Sequence, residues 1–207
     1  MALGILGAAV ALVTGVPAWR HSLLRTAGQA LVSADSPRKA DVIVLAQDAE
    51  GVALLDAVDL VKGGFASRVA LFTAPAHPAD REFARRGLSL MTGAELSEQL
   101  LHQLGVASVE LIPVAVSGSE DEASLLPAWC HARGYHVIIF VSAADHSRRL
   151  RRALARATSG FGLEVVIQPS RYSDFDPNAW WLSRGGTRTE IVELQKLLLD
   201  FVLHPFS

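Results

Sequence analysis

The run His136 to Val141, HVIIFV, is β-branched and aromatic with no polar alternation, and only a strand covered on both faces can bury it. A central strand of a parallel sheet is predicted there. Small residues follow at Ser142, Ala143 and Ala144, then Asp145, a side chain suited to cap a helix, so a helix is predicted from near His146. On that helix Leu150, Ala153, Leu154 and Ala157 share one face with His146 beside them, while Arg148, Arg151, Arg152 and Arg156 point away. Arg149 lies one turn on from His146, at the flank of the same face, so the two can reach one ligand. Cations in a first turn oppose the helix dipole, which implies acidic neighbours or a bound anion beside Arg148 and Arg149.

The same strand-to-helix alternation runs through the chain. Asp41 to Ala46, Arg68 to Thr73, Val109 to Val114 and Leu163 to Gln168 read as further strands. Helices are predicted over Gly51 to Lys62, stopping at Gly63 and Gly64, over Gly93 to Leu104, and over Glu120 to Arg133, where Pro127 should kink the chain. The segment Ala74 to Gly87 gives mixed signals, with a charged DREFARR stretch suited to a rim helix. Thr187 with Glu190 has the spacing of a capping box for a last helix through His204. Such repeating units predict an α/β fold, Rossmann-like and doubly wound, with a mainly parallel sheet of about five strands and a ligand crevice beyond the carboxyl ends. Gln47, Thr73, Ser117 to Ser119 and Ser142 to Arg149 are thereby expected on one rim.

Ahead of this domain, Ala2 to Trp19 is an uncharged apolar run near the lower limit for spanning a bilayer. It reads as a membrane anchor over residues 1–20, with a cleaved signal peptide and a buried core helix as rivals. Residues 21–38 read as a linking helix broken by Ser36 and Pro37, and residues 39–207 as the α/β domain. By the positive-inside rule, Arg20, His21 and Arg25 would keep that domain cytosolic.

Half of the 207 residues are apolar and the net charge is −2, which disfavours a nucleic-acid platform; the arginines between 148 and 156 lack interleaved aromatics and read as a solvated face. The single cysteine, Cys130, excludes an internal disulfide and a thiolate metal cluster, and its apolar helical setting marks it as core. Asp174 and Asp176 are two carboxylates, too few for a metal site, and no metal ligand set is assigned. After the first strand Ala46, Gln47, Asp48 and Ala49 stand where a dinucleotide fingerprint would place glycines, which disfavours nicotinamide binding.

The ordered set ADVIVLA, VSAADHSRR and TEIVELQK resembles the SanA/YdcF/ElyC family, bacterial envelope proteins built on a domain of unknown function. The similarity runs from about Lys39 to Leu199. The family's Thr-Ser, His and Arg-Ala segment is matched by Ser142, His146, Arg149 and Leu150, its Thr with a following acid by Ser119 and Glu122, and its E-x-x-K by Glu193 and Lys196. Its glycine pair after the first strand is replaced by Ala46 and Gln47, its Arg opening the next helix has no counterpart near Glu50, and its Ser-Gly after the second strand is Thr73 and Ala74. These departures remove a close backbone approach and one cation from the crevice. The resemblance implies a single-pass protein of the bacterial cell membrane with an extracytoplasmic domain. It further implies a role in envelope integrity or cell-wall precursor metabolism, with S-adenosylmethionine binding in some relatives.

His146 is then the candidate acid or base, with Ser119, Glu122, Ser142 and Arg149 as candidate ligand-binding residues for an anionic envelope precursor. The bland alternatives are a core histidine satisfied by a carbonyl, an Arg149 paired with Glu122 or Asp145, a turn hydroxyl at Ser142, and a solvated ion pair of Glu193 with Lys196. Trp180 and Trp181 read as lid or interface aromatics. An enzyme of envelope precursors and a non-catalytic tethered scaffold with a degenerate site both remain open, as does the oligomeric state.

Overall fold

In the computed structural model, which describes residues 17–49 and 51–205, the five apolar runs form strands β1 (Val42–Leu45), β2 (Arg68–Thr73), β3 (Ser108–Ala115), β4 (Val137–Ser142) and β5 (Glu164–Pro169). All neighbours pair in parallel, in the order β3-β2-β1-β4-β5. This is a Rossmann-like order, which reverses direction between β1 and β4. Val42 to Leu45 and Ile138 to Val141 are buried, as continuous apolar runs in a doubly covered sheet must be, and Phe72 and Phe140 meet between the layers at 6.1 Å.

The helices are α1 (Pro17–Leu31), α2 (Val52–Lys62), α3 (Pro78–Arg85), α4 (Gly93–Gln103), α5 (Ser119–Arg133), α6 (Ser147–Thr158) and α7 (Arg184–Leu203). Right-handed crossovers put α2 and α4 on one face and α5 and α6 on the other. The rim helix expected from DREFARR is α3, opened by a capping box of His77 with Asp80. Helix α5 runs unbroken through Pro127, which is buried. Cys130 is buried on the same helix, and burial with the nearby Asp41 charge pushes its thiol up to about 12, leaving little thiolate to react. At the β3 edge the pairing with β2 shifts register between Leu71 and Thr73, and Pro113 stands within the strand.

Four local expectations are corrected. Asp145 does not cap a helix: Ala144–His146 form a single 3-10 turn ahead of α6, and the Asp145 carboxylate turns to the His146 ring instead. The last helix starts three residues before Thr187, because Ser183 caps it by accepting from the Gly186 amide at 2.9 Å; Glu190, meant for the capping box, is buried inside the fold. The arginines of α6 are not a solvated face. Arg148 donates to the carbonyls of Ala30 and Val32 at the end of α1, Arg151 pairs with Asp35, and Arg152 and Arg156 both reach Asp200 on α7.

The fourth correction concerns α1, which is part of the domain rather than a linker. Leu31 is buried with Ala144, Phe175 and Leu197, the Trp180 indole donates to the Leu24 carbonyl at 2.8 Å, and Asp35 exchanges hydrogen bonds with Ile167 along β5. Trp180 is therefore a brace, and Trp181 stacks on His21. Among the described residues no helix is long and apolar enough to cross a membrane. The run on which the anchor reading rests lies almost wholly in residues 1–16, outside the described residues, as does Glu50.

Docking of α1 depends on a close approach at Gly28, where a Cβ would lie 2.2 Å from the Pro177 carbonyl oxygen and 2.8 Å from the Trp180 ring. Gly28→Ala is expected to push α1 away and cost roughly 1–3 kcal/mol. Gly185→Ala, in α7 with nothing within 4 Å of the added atom, should instead be neutral or stabilise by up to about 1 kcal/mol. Thermal melting of both variants checks the contrast: equal melting temperatures would mean that α1 is not held by this contact.

Candidate functional site

Charged side chains gather where the strand order reverses. After β1 the chain makes a 3-10 turn, Gln47–Ala49, and the backbone amide of Gln47 donates to the Glu122 carboxylate from the first turn of α5 at 2.6 Å. After β4 the turn Ala144–His146 presents the His146 ring, whose Nε2 lies 3.2 Å from Asp48 and whose Nδ1 lies 3.4 Å from Asp145. The Asp48 contact has ion-pair distance without hydrogen-bond alignment, so Nε2 keeps no hydrogen-bond partner in the protein. One turn on, Arg149 pairs with Glu193 of α7 at 3.1 Å, and Lys196 holds the other oxygen of Glu193 at 2.6 Å.

Burial sets the electrostatics. Glu122 is 1% exposed, and desolvation pushes its carboxyl up to about 7 although the Gln47 amide pulls the other way; the Asp48 charge adds to the rise. Burial opposes charge on His146 too, but the carboxylates of Asp145 and Asp48, at ion-pair distance on its two sides, overcome it and raise the imidazolium to about 10. Asp48 is held below its usual value against its own desolvation, by His146 and then Arg149. At neutral pH the histidine is therefore a cation between two aspartates, and Glu122 is the member of this cluster whose carboxyl is raised to about neutrality.

The expected rim is split in two. Gln47 and Thr73 line an open crevice of about 370 Å³ beyond β1 and β2, together with His77, Asp80 and Thr92 at the openings of α3 and α4. Glu122, Ser142, His146 and Arg149 lie on the other side of Gln47, toward β4. Ser142 is fully buried and its hydroxyl donates to the Ala143 carbonyl at 3.2 Å, the turn role rather than a nucleophile's. Ser119 is buried at the start of α5. The amide of Ser117 faces no ligand, since it donates to Asp121 at 2.9 Å.

Residues that sequence reasoning missed complete the cluster. Asp48 and Glu193 supply the counter-charges of His146 and Arg149, a part the sequence reading gave to neither, and the Glu193–Lys196 pair is solvated only at Lys196, because the Glu193 side chain is 9% exposed. Glu190 is 1% exposed with neither carboxylate oxygen partnered, and burial raises its carboxyl. It stands one turn before Glu193 on a helix packed on the Ala144–His146 turn. The Nε of Arg149 is also buried without a partner. Among the described residues no group of three or more His, Cys, Asp and Glu is placed to hold a metal ion.

Two expectations follow. Glu122 and His146 both bind protons more tightly folded than unfolded. Stability from Glu122 is full below pH 4.5 and lost as pH rises through about 7; that from His146 is full below 6.5 and lost through about 10. The Glu122 part amounts to about 3 kcal/mol, so melting temperature should fall between pH 4.5 and 7, and Glu122→Gln should flatten that limb alone. A wild-type profile that rises across this window contradicts the assignment. For the Arg149–Glu193 pair, Arg149→Ala should cost roughly 1–3 kcal/mol by leaving the buried Glu193 carboxylate to the half-exposed Lys196 alone, whereas Arg149→Met with Glu193→Leu should recover most of it. Denaturant titration checks both variants, and a double variant no better than the single one would count against the pair.

No protein-family model matches the chain, and neither does any curated protein. Among solved structures the chain is similar to guanylylpyridinol- and ATP-bound HcgE from Methanothermobacter marburgensis, at 14% sequence identity and a TM-score of 0.35. That match covers 65% of this chain and 62% of the other, less than two thirds of its length.

Proposed function

We propose that the chain is a membrane-tethered bacterial envelope protein, similar to the SanA/YdcF/ElyC family, whose α/β domain takes an anionic cell-wall or lipid precursor at the carboxyl ends of β1 and β2. The reading rests on one contact, the 2.6 Å hydrogen bond from the Gln47 amide to Glu122. Through it one wall of the open crevice touches a carboxyl that exchanges its proton near neutrality. An anion in the crevice would face the openings of α3 and α4, whose dipoles favour negative charge, with the His77 ring alongside. Glu122 would then change its charge behind the wall of the crevice that it supports, and His146 and Asp48 would set the field around it.

This moves the anion site away from Arg149, whose charge is met by Glu193. S-adenosylmethionine, implied for some relatives by the resemblance, does not fit the β1 turn: its Gln47 amide is already taken by Glu122 and the family's glycines are Ala46 and Gln47. A second reading, a tethered scaffold with a degenerate site, is favoured by a specific observation. Protein carboxylates already occupy the Gln47 and Ser117 amides and the Arg149 guanidinium.

Thermal melting of the chain with inorganic phosphate, pyrophosphate or an isoprenyl phosphate separates the two. Binding to the folded state at a hundredfold excess over Kd stabilises by about 2.7 kcal/mol, so a clear rise is expected, lost in His77→Ala and kept in Arg149→Lys. A melting temperature unmoved by all three probes supports the scaffold, and a rise lost in Arg149→Lys but kept in His77→Ala returns the site to α6.

A further inference from the structure

The last helix is inside out. Its three carboxylates, Glu190, Glu193 and Asp200, all face inward and are buried, while Ile191, Leu198, Leu199, Val202 and Leu203 face outward, from 49% exposed at Ile191 to 76% at Val202. A helix on the surface of a water-soluble domain shows the opposite arrangement. Glu193 is met by Arg149, and Asp200 by Arg152 and Arg156 of α6, which fixes the orientation of the helix and leaves the apolar face outward. Contiguous exposed apolar surface of this kind marks a contact with a protein or a membrane.

Two observations select the membrane. The first is charge: α1 contains no acidic residue, the acids of α7 are all turned inward, and the exposed cations of the pair are Arg20, Arg25, Arg184 and Arg188 together with Lys196. The surface is therefore apolar and basic, suited to an anionic bilayer face. The second is continuity. The apolar, uncharged residues 2–16 enter the described fold at Pro17, the start of α1, which packs against α7. Trp19 and Leu23 at that entry are 66% and 50% exposed, and Leu182 just before α7 is 77% exposed.

We propose that the outward face of α7, continued by Leu182, Leu23 and Trp19, lies on an anionic lipid bilayer, so that the domain is held flat against the membrane rather than hanging from a tether. The inference shares with the proposed function a membrane location and nothing of the crevice chemistry. Interfacial helices sink their apolar face about 5–10 Å, to the boundary of headgroups and acyl chains.

The test uses the full chain in vesicles of phosphatidylglycerol and phosphatidylcholine, with an environment-sensitive dye on Leu198→Cys or Val202→Cys, and on Gln99→Cys of α4 as a control. Cys130 is buried and its thiol is raised, so the added thiol takes the label. With lipids brominated near the headgroup end of the chains, labels at 198 and 202 should lose about half their emission and the label at 99 almost none, and raising the salt should weaken the effect. Water-like emission at 198 and 202 while the chain floats with the vesicles overturns the proposal but leaves the tether standing. A chain that does not float overturns both. Shielding without bromide quenching overturns it too, in favour of a second copy if Val202→Cys forms a disulfide dimer, or of residues 1–16 if the shielding persists without lipid.

Discussion

The arginines of α6 hold the outer layer of the molecule to its sheet. Arg148 closes the end of α1 by taking its last carbonyls, Arg151 fixes the segment that runs on to Asp35, and Arg149, Arg152 and Arg156 bind α7 through Glu193 and Asp200. Removing one partner of such a pair strands a desolvated charge, and this penalty, more than the attraction itself, makes the arrangement hard to vary. Among the described residues, the apolar side chains buried at this layer are Leu31, Ala144, Phe175 and Leu197, with Val32, Trp180 and Leu194 packed on them. The sheet folds around apolar contacts, and the layer over α6 is registered by charge.

The same layer sets the properties of the site. Because α7 is drawn in by its acids, Glu190 and Glu193 are carried to the level of the turn after β4, and Arg149 is satisfied from behind rather than by a ligand in front. Glu122 enters from the opposite side, on the helix that crosses the sheet from β3 to β4, and closes onto the turn after β1. The strand crossover thus delivers one carboxylate to the switch point and the arginine row delivers others. Burial, then the Asp48 charge, raises Glu122 toward neutrality, while Asp145 and Asp48 keep His146 charged.

The strands were legible because an apolar run without alternation has few ways to be buried, and Arg68–Thr73 was read to the residue. Boundaries failed where side chains answered to distant partners. Asp145 has the form of a cap but serves the His146 ring, and Thr187 with Glu190 has the form of a capping box although Ser183 had already started the helix. Ser142 and His146 stand at the carboxyl end of β4 as read, yet the counter-charges of His146 and Arg149 come from Asp48 and Glu193, tens of residues away, which no local spacing announces. One signal was present and unused: in TEIVELQKLLLDFV the acids recur on one helical face opposite Ile191, Leu198 and Val202, a pattern that asks what lies on each side.

Both borders of the sheet are stopped. Beyond β5, Asp35 donates its amide to the Ile167 carbonyl and accepts the Ile167 amide on its carboxylate, and the Gln168 side chain takes the Asp35 carbonyl as well. Along β3, Pro113 offers no amide and the slipped register spoils the ladder an incoming strand would need. An unblocked border is where one chain recruits another into a growing ribbon. With a side-chain plug on one border and a proline on the other, this sheet is a poor template for fibrils even when many copies crowd together.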